Sequence, residues 1–350
     1  MTSGNGARPA ARDWRIYRGT GVPRAEDDLA ALLPEPPPWR RFDGEPVQPP
    51  PQPDDTEADR RLGGALSAGG VPADPHEVEM VNAALLLRRP LLVTGPPGIG
   101  KSSLAHRVAR ELGLGPVLHW TVTSRSTLAK GLYDYDAIGR AQATAAAQRQ
   151  GGTGDEGTEI GRFIKLGPLG TALLASDLPR VLLIDELDKG DVDLPNDLLH
   201  VFEQAEYDIP ELARARDRMP EATVYTADRE RQATIVAGHV RARAFPFVVI
   251  TSNGERAFPA PFLRRCLRLT MTAPGAEQLA AMVAAHFRQD ADSQQRELID
   301  QFVKRSQQAG GLAADQLLNA VYLTSAASLS LDVAEGQRVL DALWQELTGP

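Results

Sequence analysis

One cysteine, few aromatics and no long apolar run constrain this 350-residue chain before any motif is sought. Cys266 is the sole cysteine, so no disulfide can close within the chain, which suits a reducing compartment. Aromatic residues make up only 5%, while Ala and Leu are abundant, a composition that favours helices around a buried sheet. No stretch of about 18 apolar residues exists, which excludes a membrane-spanning helix. Met1 to Ala11 lacks the apolar centre of a signal peptide, so a soluble, cytoplasmic protein is expected. Basic charge is also in short supply. With 38 Lys and Arg against 46 Asp and Glu, the net charge is −8, which argues against a general grip on nucleic acid. The six histidines (His76, His106, His119, His200, His239 and His286) show no paired metal-ligand spacing, so packing or surface roles are expected of them.

Proline is plentiful but unevenly placed. Residues 1–75 hold 13 of the 27 prolines, nine of them between Pro34 and Pro53. Such a stretch leans towards polyproline II and buries little surface, so an extended or partly disordered N-terminal arm is expected over 1–75. Trp14, Tyr17 and Trp39 are out of keeping with disorder. They either pack loosely on the chain's own core or dock on a neighbour as anchors.

From His76 the pattern is globular. An amphipathic helix over 76–88 precedes five short apolar runs: Pro90–Thr94, Val117–Val122, Val181–Asp185, Phe247–Thr251 and Cys266–Met271. Helical stretches alternate with them, which predicts an α/β unit with a five-stranded, mostly parallel sheet. Four of the runs are almost continuous Val, Leu and Ile, as expected of strands covered on both faces. After Gly275 helical stretches follow at 275–287, 291–308, 313–326 and 333–347, with a break at Gly310-Gly311. Three units result: the arm 1–75, an αβα nucleotide-binding core 76–272, and a small all-helical domain 273–350. Gly151 to Gly157 reads as a surface loop.

The strongest chemical signal is Gly95-Pro96-Pro97-Gly98-Ile99-Gly100-Lys101-Ser102, with Ser103 opening the helix behind it. It fits G-x-x-x-x-G-K-[ST] between a strand and a helix, the context a phosphate-binding P-loop needs. The glycines let backbone N–H groups curl around the phosphates of ATP, and the helix N-terminus adds positive potential. Lys101 supplies a cation for the transferred phosphoryl group, and Ser102 a hydroxyl for Mg²⁺. The run Val181-Leu182-Leu183-Ile184 then ends in Asp185-Glu186. Asp185 is placed to hold the Mg²⁺ shell and Glu186 to deprotonate the attacking water. A third buried strand ends at Asn253, which is either a turn-former or a hydrogen-bonding partner of that water or the γ-phosphate. Arg264 and Arg265 precede the last strand, either as a solvated edge or as a finger reaching another subunit's nucleotide. The segment Arg214 to Arg243 carries seven arginines against four acids and reads as a solvated insert or a partner-contact hairpin.

The order of these motifs resembles that of AAA+ ATPases: P-loop, Asp-Glu strand, Asn strand, arginine pair, helical lid. Within that group the chain is most similar to the MoxR family, over about 76–350. Leu166-Gly167-Pro168-Leu169-Gly170, Asp185-Glu186-Leu187-Asp188-Lys189 and the helix and turn of Asn196 to Ile209 carry the likeness. The resemblance implies a P-loop αβα sandwich followed by a helical lid, with Asn253 as the sensor-1 residue and Arg265 as the better finger. It also implies a ring, hexameric in the family, that hydrolyses Mg·ATP between subunits to remodel a protein client, often a von Willebrand factor A partner. One departure stands out. Where the family carries a lid arginine, this chain reads Ala313-Ala314-Asp315-Gln316-Leu317. A nucleic-acid motor related to restriction NTPases and a slow nucleotide-gated switch are the alternative readings.

Overall fold

The computed structural model describes residues 14–24, 29–54, 56–64, 73–149, 160–287, 291–308, 312–325 and 334–344. The expected loop Gly151 to Gly157 and the Gly310-Gly311 break lie outside the described residues. In chain order the strands are β1 Leu91–Thr94, β2 Leu118–Thr121, β3 Tyr133–Tyr135, β4 Ile164–Leu166, β5 Val181–Asp185, β6 Glu206–Asp208, β7 Glu221–Tyr225, β8 Gln232–Val236, β9 His239–Arg241, β10 Phe247–Ser252 and β11 Leu267–Thr270. Five of them form one parallel sheet in the order β11-β1-β10-β5-β2.

The continuous apolar character of β1, β5 and β10 is explained by the two cores they separate, while the edge strands β2 and β11 carry polar residues as well. Alternate side chains point to opposite faces of a sheet. Leu92, Leu182, Ile184, Val248 and Ile250 therefore enter one core, while Leu91, Val93, Val181, Leu183 and Val249 enter the other. Helices Pro75–Leu87 and Ser103–Leu112 pack in the second core, and helix Leu194–Gln204 in the first. The result is an αβα sandwich. Helices Ala276–Phe287, Ser293–Gln308, Ala314–Ser325 and Ala334–Leu343 follow, around a separate core that includes Leu298, Phe302, Leu317 and Trp344.

A second sheet, with the order β3-β4-β7-β8-β9-β6, was not visible in the sequence. The Arg214–Arg243 segment supplies three of its strands, β7, β8 and β9, so it is not simply a solvated insert. β7 pairs with β8 over five residues, and its Ala222 and Val224 turn inwards while Glu221, Thr223 and Tyr225 face out. Ala222, Val224, Ala233, Ile235 and Val240 all join the larger core. Short strands that bury small residues on one face leave a weak signal. A bidentate ion pair, Arg180 to Asp228 at 2.7 and 2.9 Å, ties this sheet to the start of β5.

The described part of the arm contributes more to the core than its composition suggests. Tyr17 is fully buried and donates its hydroxyl to Glu77 Oε1 at 3.0 Å. Asn82 Oδ1 accepts from the backbone N–H groups of Ile16 and Tyr17, and its Nδ2 donates to the carbonyl oxygens of Tyr17 and Val78. Glu111 Oε2 accepts from Thr20 N, Thr20 Oγ1 and Gly21 N. This carboxylate is buried near a helix C-terminus, where the dipole disfavours it, so these donors offset a real penalty. Farther along, helix Thr56–Leu62 is fastened by Arg110 to Asp59, and Gly64 N donates to Ala285 O in the lid. Tyr17→Ala should destabilise the protein by about 3–5 kcal/mol, the range for truncating a buried aromatic. Urea denaturation checks this, and an unchanged midpoint would show that the arm is not part of the core.

His106, in helix Ser103–Leu112, is 2% exposed and its Nε2 has no hydrogen-bond partner. Burial, helped by the charge of Arg61, lowers its pKa to about 4. Between pH about 6.5 and 4 the unfolded chain therefore binds the proton that the folded chain refuses. Stability present above pH about 6.5 should fall as the pH drops through that window, by about 3 kcal/mol in total. His106→Gln should flatten that part of the stability profile, measured by denaturation at each pH.

Candidate functional site

The site is built at the carboxyl ends of three adjacent parallel strands. β1 runs into the P-loop, β5 ends on Asp185-Glu186, and β10, which lies between them, runs into Asn253. β10 is buried along its whole length, so its end is fixed by packing on both faces.

The P-loop curls as its glycines permit. Gly98 has φ +74°, and a Cβ there would lie 2.3 Å from the Cβ of Ala313. Lid helix Ala314–Ser325 thus abuts the loop, with Ala314 N donating to Gly98 O at 2.9 Å. The missing lid arginine has a local counterpart here: small residues let the two backbones touch, and Asp315 faces solvent. Lys101 is 7% exposed and donates to Gly95 O, Pro96 O and Asn253 Oδ1 at 2.6–2.7 Å. Burial lowers its pKa, opposed by the charges of Asp188, Asp185 and Glu186.

Ser102 Oγ donates to Asp185 Oδ1 at 2.7 Å. Thr251 Oγ1 donates to the same oxygen at 2.6 Å, and His119 Nε2 lies 3.2 Å from Oδ2. Burial pushes the Asp185 carboxyl up, but the hydrogen bonds from His119, Thr251 and Ser102 outweigh it and hold the pKa at about 2. A hydroxyl beside an ionised carboxylate is a hard-oxygen pair suited to Mg²⁺. Glu186 sits in the left-handed region at φ 59°, uncommon for a residue with a side chain and costly unless the surroundings hold it. Its N–H donates to Thr251 Oγ1 at 2.8 Å. Its carboxylate receives Lys189 Nζ at 2.9 Å and, more weakly, Asn253 Nδ2 at 3.4 Å. Asn253 therefore bridges Lys101 and Glu186.

Asp188, which sequence reasoning quoted only as part of a motif, holds Asn253 in place. It is 3% exposed, and its Oδ2 accepts from Asn253 N and Glu255 N at 3.0 and 3.1 Å. Its Oδ1 is buried without a hydrogen-bond partner. His119 and Thr251 were missed as well. The one available signal was a polar residue near the end of an apolar strand, and such residues are common.

Beside the loop lies a cavity of about 260 Å³. Ile99, Met271 and the lid's Leu279 and Met282 line it, and the arm closes it with Thr20 and Arg61. A chamber lined by apolar side chains together with polar ones such as Asp74, Glu77 and Gln278, next to a phosphate loop, can take a nucleoside.

Arg264 and Arg265 are not part of this cluster. Arg265 donates to Glu203 Oε1 at 2.6 Å and to Pro261 O at 3.2 Å. Both arginines precede β11, whose Leu267 is in register with Leu91 at the start of β1. They thus lie at the amino end of the sheet, about 10 Å of strand away from the loop that follows Thr94.

The profile of the ATPase family associated with various cellular activities (AAA) matches residues 91–271, from the first residue of β1 through the last strand of the parallel sheet. The chain belongs to the AAA family of ATPases. No curated protein matches it significantly. Among solved structures, this AAA chain is similar to RuvB T158V of Thermotoga maritima at 14% identity and a TM-score of 0.38, covering 76% of this chain and 67% of that one. It is similar to PCH-2 of C. elegans at 14% identity and TM-score 0.36, covering 73% of this chain and 60% of that one. Domain III of the Thermotoga maritima replication initiation protein DnaA is matched at 15% identity and TM-score 0.36, over 78% and 94%. No helix among the described residues of this AAA ATPase is long and apolar enough to cross a membrane.

Asp188→Ala should free the Asn253 backbone and lower kcat by about tenfold or more, the order seen when groups that orient a reactive shell are removed. Nucleotide affinity should change little. Steady-state ATPase and equilibrium titration with a fluorescent ATP analogue separate the two, and an equal loss in both would count against an orienting role.

Proposed function

We propose that the chain is a MoxR-like AAA ATPase that hydrolyses Mg·ATP at the interfaces of a ring and uses the cycle to remodel a protein client. The observation that supports this reading is the split of the candidate groups between opposite ends of one sheet. Lys101, Asp185, Glu186 and Asn253 converge at the carboxyl end, and Arg265 stands at the amino end. A single chain cannot bring both to one phosphate, whereas a head-to-tail neighbour can.

In this reading the loop Gly95, Pro96, Pro97, Gly98, Ile99, Gly100, Lys101, Ser102 and Ser103 cradles the phosphates, and the adjoining cavity takes the nucleoside. Ser102 and Asp185 would hold Mg²⁺, which would supply positive charge to the phosphate oxygens. Glu186 accepts a proton from water as it attacks the γ-phosphorus, Asn253 orients that water, and ADP and phosphate leave. Arg265 of the next subunit, with Arg264 beside it, offsets the charge that develops. The client follows from the MoxR resemblance: a protein, a von Willebrand factor A partner among the candidates, in a chaperone-like role or a conflict or signalling module.

Lys101→Ala should lose ATP binding, whereas Glu186→Gln should bind ATP and not turn it over. Arg265→Ala should bind ATP yet lose about 10³-fold in turnover, by the magnitude typical of arginine fingers. Mixing it with Lys101→Ala should restore part of the activity, because some mixed interfaces pair an intact loop with an intact finger. Turnover per chain that is independent of concentration, with no rescue on mixing, would favour the nucleotide-gated switch instead. Salt-dependent DNA binding that stimulates turnover would favour the nucleic-acid motor.

A further inference from the structure

The amino end of the sheet carries more than the two arginines. Trp39 is 77% exposed, an unusual state for the largest apolar side chain. It sits on the short 3-10 turn Pro38–Arg40. That turn is anchored rather than loose. Arg40 is 8% exposed, and its guanidinium donates to Arg88 O at 2.6 and 3.0 Å and to Phe202 O at 2.8 Å. It also lies 4.4 Å from the ring centroid of Phe245, within reach of a cation–π contact. Arg88 Nη2 returns to Pro34 O at 3.1 Å. A proline-flanked, buried-arginine anchor fixes the backbone turn that presents Trp39, which lowers the backbone freedom lost on binding.

The groups that anchor Trp39 are next to those that hold Arg265. Phe202 precedes Glu203, the carboxylate partner of Arg265. Arg88 precedes Arg89, whose guanidinium binds the carbonyl oxygens of Arg264 and Arg265. Leu87, 41% exposed, lies beside them. One continuous surface therefore carries an apolar centre and the arginines Arg41, Arg88, Arg89, Arg264 and Arg265, against the acids Glu35 and Glu203. The opposite, nucleotide edge has the reverse balance. Glu186, Asp191, Asp193 and Glu255 outnumber Lys189 and Arg256 there, and Val192 among them is 61% exposed.

We propose that this face docks on the nucleotide edge of a second copy of the chain, with Trp39 as the aromatic anchor of the contact beside the Arg265 finger. The inference rests on the ring reading above and adds a specific energetic centre to it. An exposed tryptophan on an anchored turn, with charged residues on the neighbouring segments, is the composition of an interface hot spot. Opposite charge on the two edges sets the head-to-tail direction.

Sedimentation velocity of the full chain with Mg·ATP, over a range of protein concentrations, tests it. Trp39→Ala should keep the wild-type melting temperature at low concentration yet need at least about tenfold more protein to assemble. Its turnover should recover at high protein concentration, which a damaged active site would not do. Trp39→Phe should assemble within a few-fold of wild type. Acrylamide quenching that is lost on assembly in wild type, but not in Trp39→Phe, would place the indole in the contact. If wild type assembles and mixing of the Arg265 and Lys101 variants rescues activity, yet Trp39→Ala assembles like wild type, the anchor is wrong and the ring stands. If wild type stays monomeric throughout, the ring reading fails and takes the anchor with it.

Discussion

Three parallel strands ending together at the carboxyl edge of a sheet with a buried centre are the constraint on which the candidate site depends. Strand β10 is closed on both faces and both edges, between β1 and β5, so its end has no freedom to shift. It delivers Thr251 to Asp185 and Asn253 to the gap between Lys101 and Glu186. Each of these polar groups is held by another rather than by solvent. A buried network of this kind is stable only when nearly every member is satisfied, and it is then rigid. The exception is Asp188 Oδ1, left without a hydrogen-bond partner while its other oxygen pins the Asn253 loop. Its charge acts on Lys101, so the two belong to one electrostatic unit.

Burial and hydrogen bonding pull in opposite directions across that unit, and the local balance sets each charge. At Asp185 three donors overcome desolvation and keep the carboxylate ionised. At Lys101 three carboxylates oppose desolvation of the ammonium. Two carbonyl oxygens of its own loop and the Asn253 amide occupy its donors. A phosphate entering the loop would exchange those neutral acceptors for charged ones, which form stronger hydrogen bonds. The lid presses on the same loop through Ala313 and Ala314, so movement of the loop and movement of the lid are mechanically joined.

The arm joins the same mechanics from outside. Its first described stretch is pinned to helices Pro75–Leu87 and Ser103–Leu112, and its later part reaches the lid at Ala285. It thereby closes the cavity beside the phosphate loop and supports the turn that presents Trp39. The proline-poor stretch ahead of the proline cluster is ordered by an amide and a carboxylate of the core that accept its backbone N–H groups, Asn82 and Glu111. A later stretch forms the helix Thr56–Leu62.

Much of the site was legible in the sequence because its chemistry is local. A glycine-rich loop between a strand and a helix, an Asp-Glu pair ending an apolar run and an Asn ending another are each contained in a few residues. The central strands β1, β5 and β10 of the parallel sheet were legible for a related reason: covering both faces makes such strands continuously apolar, whereas the edge strands β2 and β11 carry polar residues as well. The second sheet was hidden because its strands bury Ala and Val on one face only, a pattern that many loops share. Thr251, His119 and Asp188 were hidden because their roles come from pairing across strands and turns far apart in the chain. The order of the arm was hidden too, since it depends on acceptors more than 60 residues away. The sequence by itself determined which groups stand as candidates for phosphate and Mg²⁺. Only the tertiary structure decided that Arg265 stands a strand's length from its own P-loop, because register and strand direction are properties of the sheet and of no single segment.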